Sequence, residues 1–380
     1  MLRFAGLRCN PNAPEFEFPC IRPKDIDILN TDSNSVKIMI DIVDKTLFAT
    51  QVRGLGFGAG AIGNLYRAIT DTEAMAALRA ALDHGVTYFD TAPHYGFGLS
   101  EKRLGRLLGE IGGARDIVVS TKVGRVLAPT TASNLRAARQ GFISPEPYES
   151  VFDYSYDGIM RSFEESRRRL GRDIDILYVH DLGQRTHGER HSVQMRLFLS
   201  EGYRAIRSLR EQGVVRAIGL GVNEWQVCEA VLATADLDIV LLAGRYTLLE
   251  QGALESFFPL CVRRGIAVVV GGPYNSGILA RDEQTQGTAH YDYSLAHADI
   301  MARVDSIRAV CTRHLVPLAA AALQFPLAHP AVVSVIPGMS SAAEVAAAAR
   351  WMSIPIPAAC WHELRQQGLL HADAPIPVAA

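Results

Sequence analysis

Eight short apolar runs rich in β-forming residues alternate with amphipathic helical patterns, and this alternation predicts an α/β fold, a (β/α)8 TIM barrel. Uninterrupted strand–helix alternation implies parallel strands joined by right-handed crossovers. The length of 380 residues lies within the range of one such barrel with insertions. The alternative is a doubly wound sheet, which requires a GxGxxG turn that opens a helix. The glycine cluster at 54–60 opens no helix, so the barrel is favoured.

The elements follow one another from residue 52 onward. The predicted strands are 52–58, 86–90, 117–122, 175–180, 215–221, 238–243, 266–271 and 332–337. The clearest helical patterns between them are 71–85, 157–171, 201–213 and 298–315. Several of these helices end in glycine directly before the next strand, which is the usual residue just beyond a helix C-terminus. We therefore predict one barrel domain over 45–380.

The first 44 residues fall outside this rhythm. The stretch at 10–25 is rich in proline and is not expected to pack, whereas 36–43 alternates like an edge strand. We expect 1–44 to be an N-terminal extension that is partly disordered. Met39 is an alternative start, and the sequence leaves open whether 1–38 belong to the native protein.

Composition argues against several classes of function. The net charge is −2 and no block of lysine and arginine stands out, so a nucleic-acid partner is not expected. None of the six cysteines forms a CxxC pair, which indicates free thiols in a reducing compartment. The apolar runs are short and no secretory signal is visible, so we expect no membrane partner and a cytoplasmic location. The oligomeric state stays open.

Ionisable side chains end three successive predicted strands. Asp90 ends the second strand and Tyr95 follows it, Lys122 ends the third strand, and His180 ends the fourth. The C-terminal ends of barrel strands share one face, so these groups should meet there. A lysine ammonium lowers the pKa of a neighbouring phenol, and an aspartate holds that lysine charged. A histidine beside them can donate a hydrogen bond to a reacting oxygen, which together predicts proton transfer coupled to hydride transfer.

Four separated motifs resemble those of the aldo-keto reductases. They are DTAPHYGFGLSEKRLG (90–105), STKVGR (120–125), DILYVHDL (175–182) and IPGMSS (336–341). The resemblance spans about 50–350 and places the family's catalytic tetrad on Asp90, Tyr95, Lys122 and His180. Further motifs at 152–158, 180–188, 241–251 and 322–330 are similar to the branch that contains D-threo-aldose (L-fucose) 1-dehydrogenase and pyridoxal 4-dehydrogenase.

The resemblance implies NAD-linked oxidation of a cyclic hemiacetal, an aldose such as L-fucose, L-galactose or D-arabinose, at C1 to a lactone. Pyridoxal 4-dehydrogenase and general aldehyde reductase are alternatives of the same class. A nucleotide-sensing regulatory subunit with a reductase fold is an alternative of another class. A lyase or isomerase barrel that binds phosphate but no dinucleotide is a third.

The resemblance also implies cofactor contacts, with departures from the family pattern. The implied contacts are Asn223, Ser276, Gly277, Gly338, Ser340 and Ser341. Ser341 and Glu344 have capping-box spacing, so a helix is expected to begin there and to offer N–H groups to a phosphate. No lysine or arginine occurs from 336 to 349, where relatives that use NADP place a cation, so NAD is expected over NADP. Gly271 replaces the aromatic residue that stacks on nicotinamide in many members, and Ala243 replaces a glutamine.

Two residues are candidates for substrate contact. Arg245 has the same strand parity as Ala243 and either binds a substrate oxygen or pairs with a neighbouring acid, and Trp225 is a possible pocket wall. No metal site is expected, because the His-Glu-His pattern at 187–191 is read as a charged, solvated loop. The long segments 123–154 and 272–297 are expected to act as lids over the pocket.

Overall fold

The computed structural model describes residues 51–112, 116–281, 289–292 and 294–377. The predicted extension over 1–44, including the edge strand at 36–43, lies outside the described residues. Within the described part, every predicted strand and each helical pattern is present.

The central sheet contains parallel strands that close into a barrel. In chain order they are Gly54–Leu55, Phe57–Gly58, Tyr88–Asp90, Val118–Val123, Ile176–His180, Ala217–Val222, Ile239–Ala243, Ala267–Gly271 and Val332–Ile336. The first predicted strand is split into two short pieces. Gly54–Leu55 pairs with the last strand, and Phe57–Gly58 pairs with the second barrel strand at Tyr88–Asp90. Because the two pieces pair with opposite ends of the sheet, the eight-stranded barrel closes.

Successive side chains of a strand point to opposite faces of the sheet, and the barrel therefore has two apolar cores. Inward-pointing residues such as Tyr88, Ile176 and Val269 fill the barrel interior. Residues of the other parity, such as Phe89 and Leu177, belong to the larger core between the sheet and the helices. The helices are Asp71–Asp83, Leu99–Ile111, Tyr156–Leu170, Gln184–His187, His191–Leu197, Tyr203–Glu211, Trp225–Leu232, Phe257–Arg264, Ala298–Arg313, Leu318–Gln324, Ala342–Ser353 and Ala358–Gln366.

The two long segments predicted as lids each carry a small antiparallel hairpin. Arg125–Pro129 pairs with Tyr148–Phe152 after the third barrel strand. His290–Tyr291 pairs with Ser294–Leu295 after the seventh. Both segments contribute side chains to the cavity at the C-terminal face of the barrel, Gln140 and Asp292 among them.

The helix Leu99–Ile111 contains one glycine in open space and one in close contact with the backbone of a neighbouring helix. Replacing each of them with alanine tests this packing. A Cβ atom at Gly109 would meet nothing within 4 Å, whereas one at Gly105 would lie 2.3 Å from the carbonyl oxygen of Arg169. We expect Gly109→Ala to raise the free energy of unfolding by about 0.5–1 kcal/mol, because alanine restricts the unfolded chain. Gly105→Ala should lower it by about 1–3 kcal/mol through overpacking. Urea denaturation measures both, and a stabilising Gly105→Ala would contradict this helix contact.

Candidate active site

A cavity of about 690 Å³ opens at the C-terminal ends of the barrel strands. Asp90, Tyr95, Lys122 and His180 all line it, so the structure brings together the four residues that the sequence singles out. Their convergence follows from the parallel barrel, because every strand ends on the same face.

Asp90 and Lys122 form a buried ion pair. Lys122 Nζ lies 2.6 Å from Asp90 Oδ2, and each side chain is only 2% exposed. The ammonium also donates to the carbonyl oxygen of Thr91 at 2.8 Å. Burial lowers the pKa of Lys122, but the neighbouring Asp90 and Tyr95 outweigh burial and raise it. The lysine is therefore held charged.

A hydroxyl network inside the barrel fixes the Asp90 carboxylate. Ser120 Oγ donates to Asp90 Oδ1 at 2.6 Å. The Tyr88 hydroxyl lies 3.0 Å from Ser120 Oγ and 3.2 Å from the hydroxyl of Tyr178. The sequence-based interpretation missed these residues, although Ser120 and Tyr88 each stand two positions before an active-site residue on the same strand and therefore point the same way.

Tyr95 is placed by a tight turn beside the first strand. Gly96 has a φ of +65°, and a Cβ atom there would lie 2.4 Å from the carbonyl oxygen of Gly63, so only glycine fits this close approach. Lys122 Nζ lies 4.6 Å from the Tyr95 ring centroid, and the His180 ring stands edge-on to Tyr95 at 5.9 Å. The three functional groups thus share one corner of the cavity.

The net pKa of Tyr95 differs from the sequence-based expectation. Burial raises the pKa of the phenol, and although Lys122 lowers it as expected, burial acts more strongly. The expectation of an unusually acidic phenol is therefore wrong in its net sign. The sequence shows that a lysine is near but not how completely both groups are removed from water.

His180 is held as a neutral imidazole. Burial, with help from Arg125 and Lys122, lowers its pKa well below the ordinary value. Its Nε2 atom lies 3.5 Å from Asp181 Oδ2, and its Nδ1 atom is buried without a hydrogen-bond partner among the described residues. A neutral ring in this position can donate one hydrogen bond to a reacting oxygen.

A second polar group lies beside the tetrad and was not expected from the sequence. Arg125 Nη2 donates to Asp181 Oδ2 at 2.6 Å, and its Nη1 atom lies 3.5 Å from Nδ1 of His94. Asp181 adopts a left-handed backbone conformation with a φ of +52°. For a residue other than glycine this conformation is uncommon, and it is often found at functional sites.

The sequence of this chain matches a known protein family. The model of the aldo/keto reductase family matches residues 54–367, which is most of the chain. The chain belongs to the aldo/keto reductase family. It is therefore an oxidoreductase that acts on CH–OH groups and uses a nicotinamide cofactor.

The relatives of this aldo/keto reductase include two dehydrogenases. It is 43% identical over 335 residues to pyridoxal 4-dehydrogenase of Microbacterium luteolum, covering 84% of this chain and 95% of that protein. It is 40% identical over 322 residues to D-threo-aldose 1-dehydrogenase of a Pseudomonas species, with the same coverage of both chains. Among solved structures, the holo form of an aldo-keto reductase from Bacillus halodurans has a TM-score of 0.63, 27% identity, and coverage of 85% of this chain and 94% of that one.

Four of the residues with an implied cofactor role line the same cavity in this aldo/keto reductase. They are Asn223, Ser276, Gly277 and Gly338. The backbone is left-handed at Asn275, Ser276 and Gly277, with φ angles of +45°, +59° and +90°. Asn275 anchors this turn, because its side chain accepts a hydrogen bond from Thr247 at 2.5 Å and donates to the carbonyl of Gly244 at 3.1 Å.

Ser340 and Ser341 lie beside the cavity lining, at the start of the helix Ala342–Ser353. Ser341 caps this helix by accepting from the backbone N–H of Glu344 at 3.2 Å. The Glu344 carboxylate accepts from the backbone N–H of Ser340 at 2.6 Å. Ser341 is thus the expected N-cap, but the Glu344 carboxylate accepts from Ser340 and not from Ser341, so one half of the capping box is shifted by one residue. Of the first-turn N–H groups predicted to be available for a phosphate, that of Glu344 has a partner within the chain. Arg67, from a distant loop, donates to Ser340 Oγ at 3.2 Å.

The two candidate substrate residues differ in position. Arg245 lines the cavity and is held by Asp292, whose Oδ1 accepts from Nη2 at 2.7 Å, and by the carbonyl of Asn223 at 2.8 Å. Arg245 therefore pairs with a neighbouring acid, one of the two roles expected for it. Trp225 lies outside the cavity lining, and its ring packs over Gly252. The structure does not place it in the pocket wall, because the side chain packs against the core between the sheet and the helices.

The described residues hold no group of three or more histidine, cysteine or acidic side chains that is arranged for a metal ion. The His-Glu-His segment is exposed at 188–190, as expected, but it is not a loop. It forms helical turns, and His187 is buried with its Nε2 atom 3.0 Å from the Tyr154 hydroxyl. None of the helices in the described part of the chain combines the length and apolar character that a membrane span needs.

The residues present fit a nicotinamide cofactor. Gly271 and Tyr274 line the cavity, and Tyr274 supplies an aromatic side chain from the loop after the seventh barrel strand. The left-handed turn that ends at Gly277 is the kind of backbone that presents N–H groups to an anion.

Proposed function

We propose that this protein oxidises a cyclic hemiacetal, an aldose at C1, to a lactone with NAD. The observation that carries the proposal is the arrangement of Tyr95, Lys122 and His180 around one corner of the cavity, with Asp90 holding Lys122 charged. The similarity to D-threo-aldose 1-dehydrogenase supports the aldose class.

The chemistry follows from this arrangement. The oxidised nicotinamide supplies a hydride acceptor and a positive charge. With the hydride of the hemiacetal carbon taken up there, Tyr95 would accept the hydroxyl proton, and the carbon would become the carbonyl carbon of a lactone. Lys122 is the group of this chain that favours the phenolate, against the effect of burial. Neutral His180 orients the hydroxyl oxygen, because an imidazole N–H can donate to it.

NAD rather than NADP is supported by the Glu344 carboxylate at the start of the helix Ala342–Ser353. This carboxylate repels the 2′-phosphate of NADP because both groups are negative. The ribose hydroxyl of NAD at the same position can instead donate a hydrogen bond to it. Arg67 acts in the opposite direction, because its guanidinium contacts Ser340. The carboxylate supports NAD more directly than the lack of a cation in the segment 336–349, because Arg67 brings a cation to Ser340 from another part of the chain.

A second candidate reaction is the oxidation of pyridoxal. The 43% identity to pyridoxal 4-dehydrogenase favours it. Pyridoxal carries an aldehyde next to a hydroxymethyl group and closes to a cyclic hemiacetal, so the same proton and hydride transfers yield a lactone.

We further propose a reducing, cytoplasmic location, since Cys228, Cys261, Cys311 and Cys360 are free.

Purified protein tests the reaction and the cofactor together. We expect NAD reduction with L-fucose, L-galactose or D-arabinose, and kcat/KM with NADP at least about tenfold lower, a ratio that corresponds to about 1.4 kcal/mol. Glu344→Gln should lower the ratio of kcat/KM with NAD to kcat/KM with NADP, and Arg67→Ala should raise this ratio. Turnover of pyridoxal alone would select the second candidate. Slow turnover of every aldose and aldehyde, with tight retention of nucleotide, would instead indicate the regulatory role.

A further inference from the structure

His94 is a third ring in the active-site corner, and the tetrad chemistry gives it no role. It lies between Asp90 and Tyr95 in the sequence and lines the cavity. Its ring centroid is 5.8 Å from that of His180 and 6.5 Å from that of Tyr95, while the Tyr95 and His180 rings are 5.9 Å apart. The three rings therefore surround one point of the cavity at nearly equal spacing.

The surroundings of His94 determine which nitrogen carries the proton. Its Nδ1 atom lies 3.5 Å from Nη1 of Arg125. A guanidinium is always charged and only donates, so Nδ1 must present its lone pair. Arg125 is itself held in place by Asp181 at 2.6 Å and by the Phe152 ring, whose centroid is 4.0 Å from the guanidinium carbon. A neutral His94 ring in this position carries its proton on Nε2.

The ring is neutral, and its Nε2 atom is available. Burial and the positive charge of Arg125 lower the pKa of His94 to about 2. In the described part of the chain, Nε2 makes no hydrogen bond. It is also not fully buried, so a ligand can reach it. The Phe142 ring meets His94 edge-on, with centroids 5.1 Å apart, and holds the imidazole in place. His94 thus presents a fixed N–H donor to the cavity.

We propose that His94 binds substrate by donating its Nε2 hydrogen to the hydroxyl on the carbon next to the reacting carbon. This assignment rests on the proposed function, in which Tyr95 and His180 both contact the reacting oxygen. The third ring then faces the next oxygen along the substrate, which in an aldose is the C2 hydroxyl. The ligand class is a hemiacetal with a neighbouring hydroxyl, as opposed to a simple aldehyde or alcohol.

The proposal predicts a specificity change that a packing role would not produce. D-Arabinose and 2-deoxy-D-ribose differ only in the C2 hydroxyl, so they isolate this contact. His94→Phe keeps a ring against Phe142 but removes the donor. We expect kcat/KM for D-arabinose to fall by about tenfold or more, as for the loss of one hydrogen bond to substrate, and that for 2-deoxy-D-ribose to change by less than about threefold.

His94→Gln is the matched variant, because its side-chain amide nitrogen lies near the position of Nε2. We expect it to restore a measurable part of the discrimination between the two sugars. If His94→Phe lowered kcat/KM equally for both sugars, or for neither, the role assigned to His94 would be overturned and the proposed reaction would still stand. If the wild-type protein oxidised neither D-arabinose nor L-fucose, the proposed function would fall and the assignment with it.

Discussion

Replacing Tyr95 with phenylalanine should lower kcat for aldose oxidation by about 10³-fold or more, while nucleotide affinity changes by less than about threefold. The phenol is the proton acceptor in the proposed reaction, and a positioned acid–base group contributes about 10²–10⁴-fold to the rate. The ring keeps its contacts in the variant, because the Lys122 ammonium and the His180 ring face the ring itself. Steady-state kinetics and titration of nicotinamide fluorescence measure the two quantities.

Tyr66→Phe is the matched control. Tyr66 also lines the cavity, but it is 59% exposed, and its ring is not among those that contact Tyr95 in the described part of the chain. We expect its turnover to stay within about threefold of wild type, since a surface hydroxyl contributes little to the reaction. A Tyr95→Phe protein with near-wild-type turnover would remove the proposed proton acceptor.

Replacing Lys122 with methionine should lower the free energy of unfolding by about 3–5 kcal/mol and also abolish most activity. The substitution leaves the Asp90 carboxylate in the barrel interior without its partner at 2.6 Å, and an uncompensated buried charge is costly. The double variant Asp90→Asn/Lys122→Met should lose less stability than the sum of the single variants, because no unpaired charge remains. Urea denaturation of the three variants gives the coupling free energy.

Lys102→Met provides the comparison for the loss of a lysine. Lys102 pairs with Glu146 at the surface, and its side chain is 47% exposed. Such pairs contribute about 0–1 kcal/mol, so we expect a change in that range. An Lys122→Met protein as stable as Lys102→Met would contradict the buried pair, and additive losses in the double variant would show that the two groups do not interact.

The fold and the tetrad were predictable because both depend on local patterns. The run before Asp90 and the run before His180 have the length and β-branched or aromatic content of buried strands, and their ends must meet on one face of a barrel. Sequence also suggested the helix start at Ser341. It did not reveal that the first strand divides around Gly56 so that its halves pair with opposite neighbours.

The remaining features depend on partners that are distant in sequence. Arg67 reaches Ser340 across 273 positions, and Asp292 reaches Arg245 across 47. No periodicity marks such pairs, which is why the local lack of a cation was an incomplete argument for NAD. The raised pKa of Tyr95 likewise depends on its degree of burial, which is set by the loops around it.

Oxidation of D-arabinose carrying deuterium at C1 tests the proposed reaction most directly. The proposal requires the C1 hydrogen to leave as a hydride while Tyr95 takes the hydroxyl proton. We expect a lactone product, deuterium in the reduced nicotinamide, and a lower rate of hydride transfer than with the unlabelled sugar. Release of the deuterium to water, or consumption of the sugar without reduction of NAD, would contradict it.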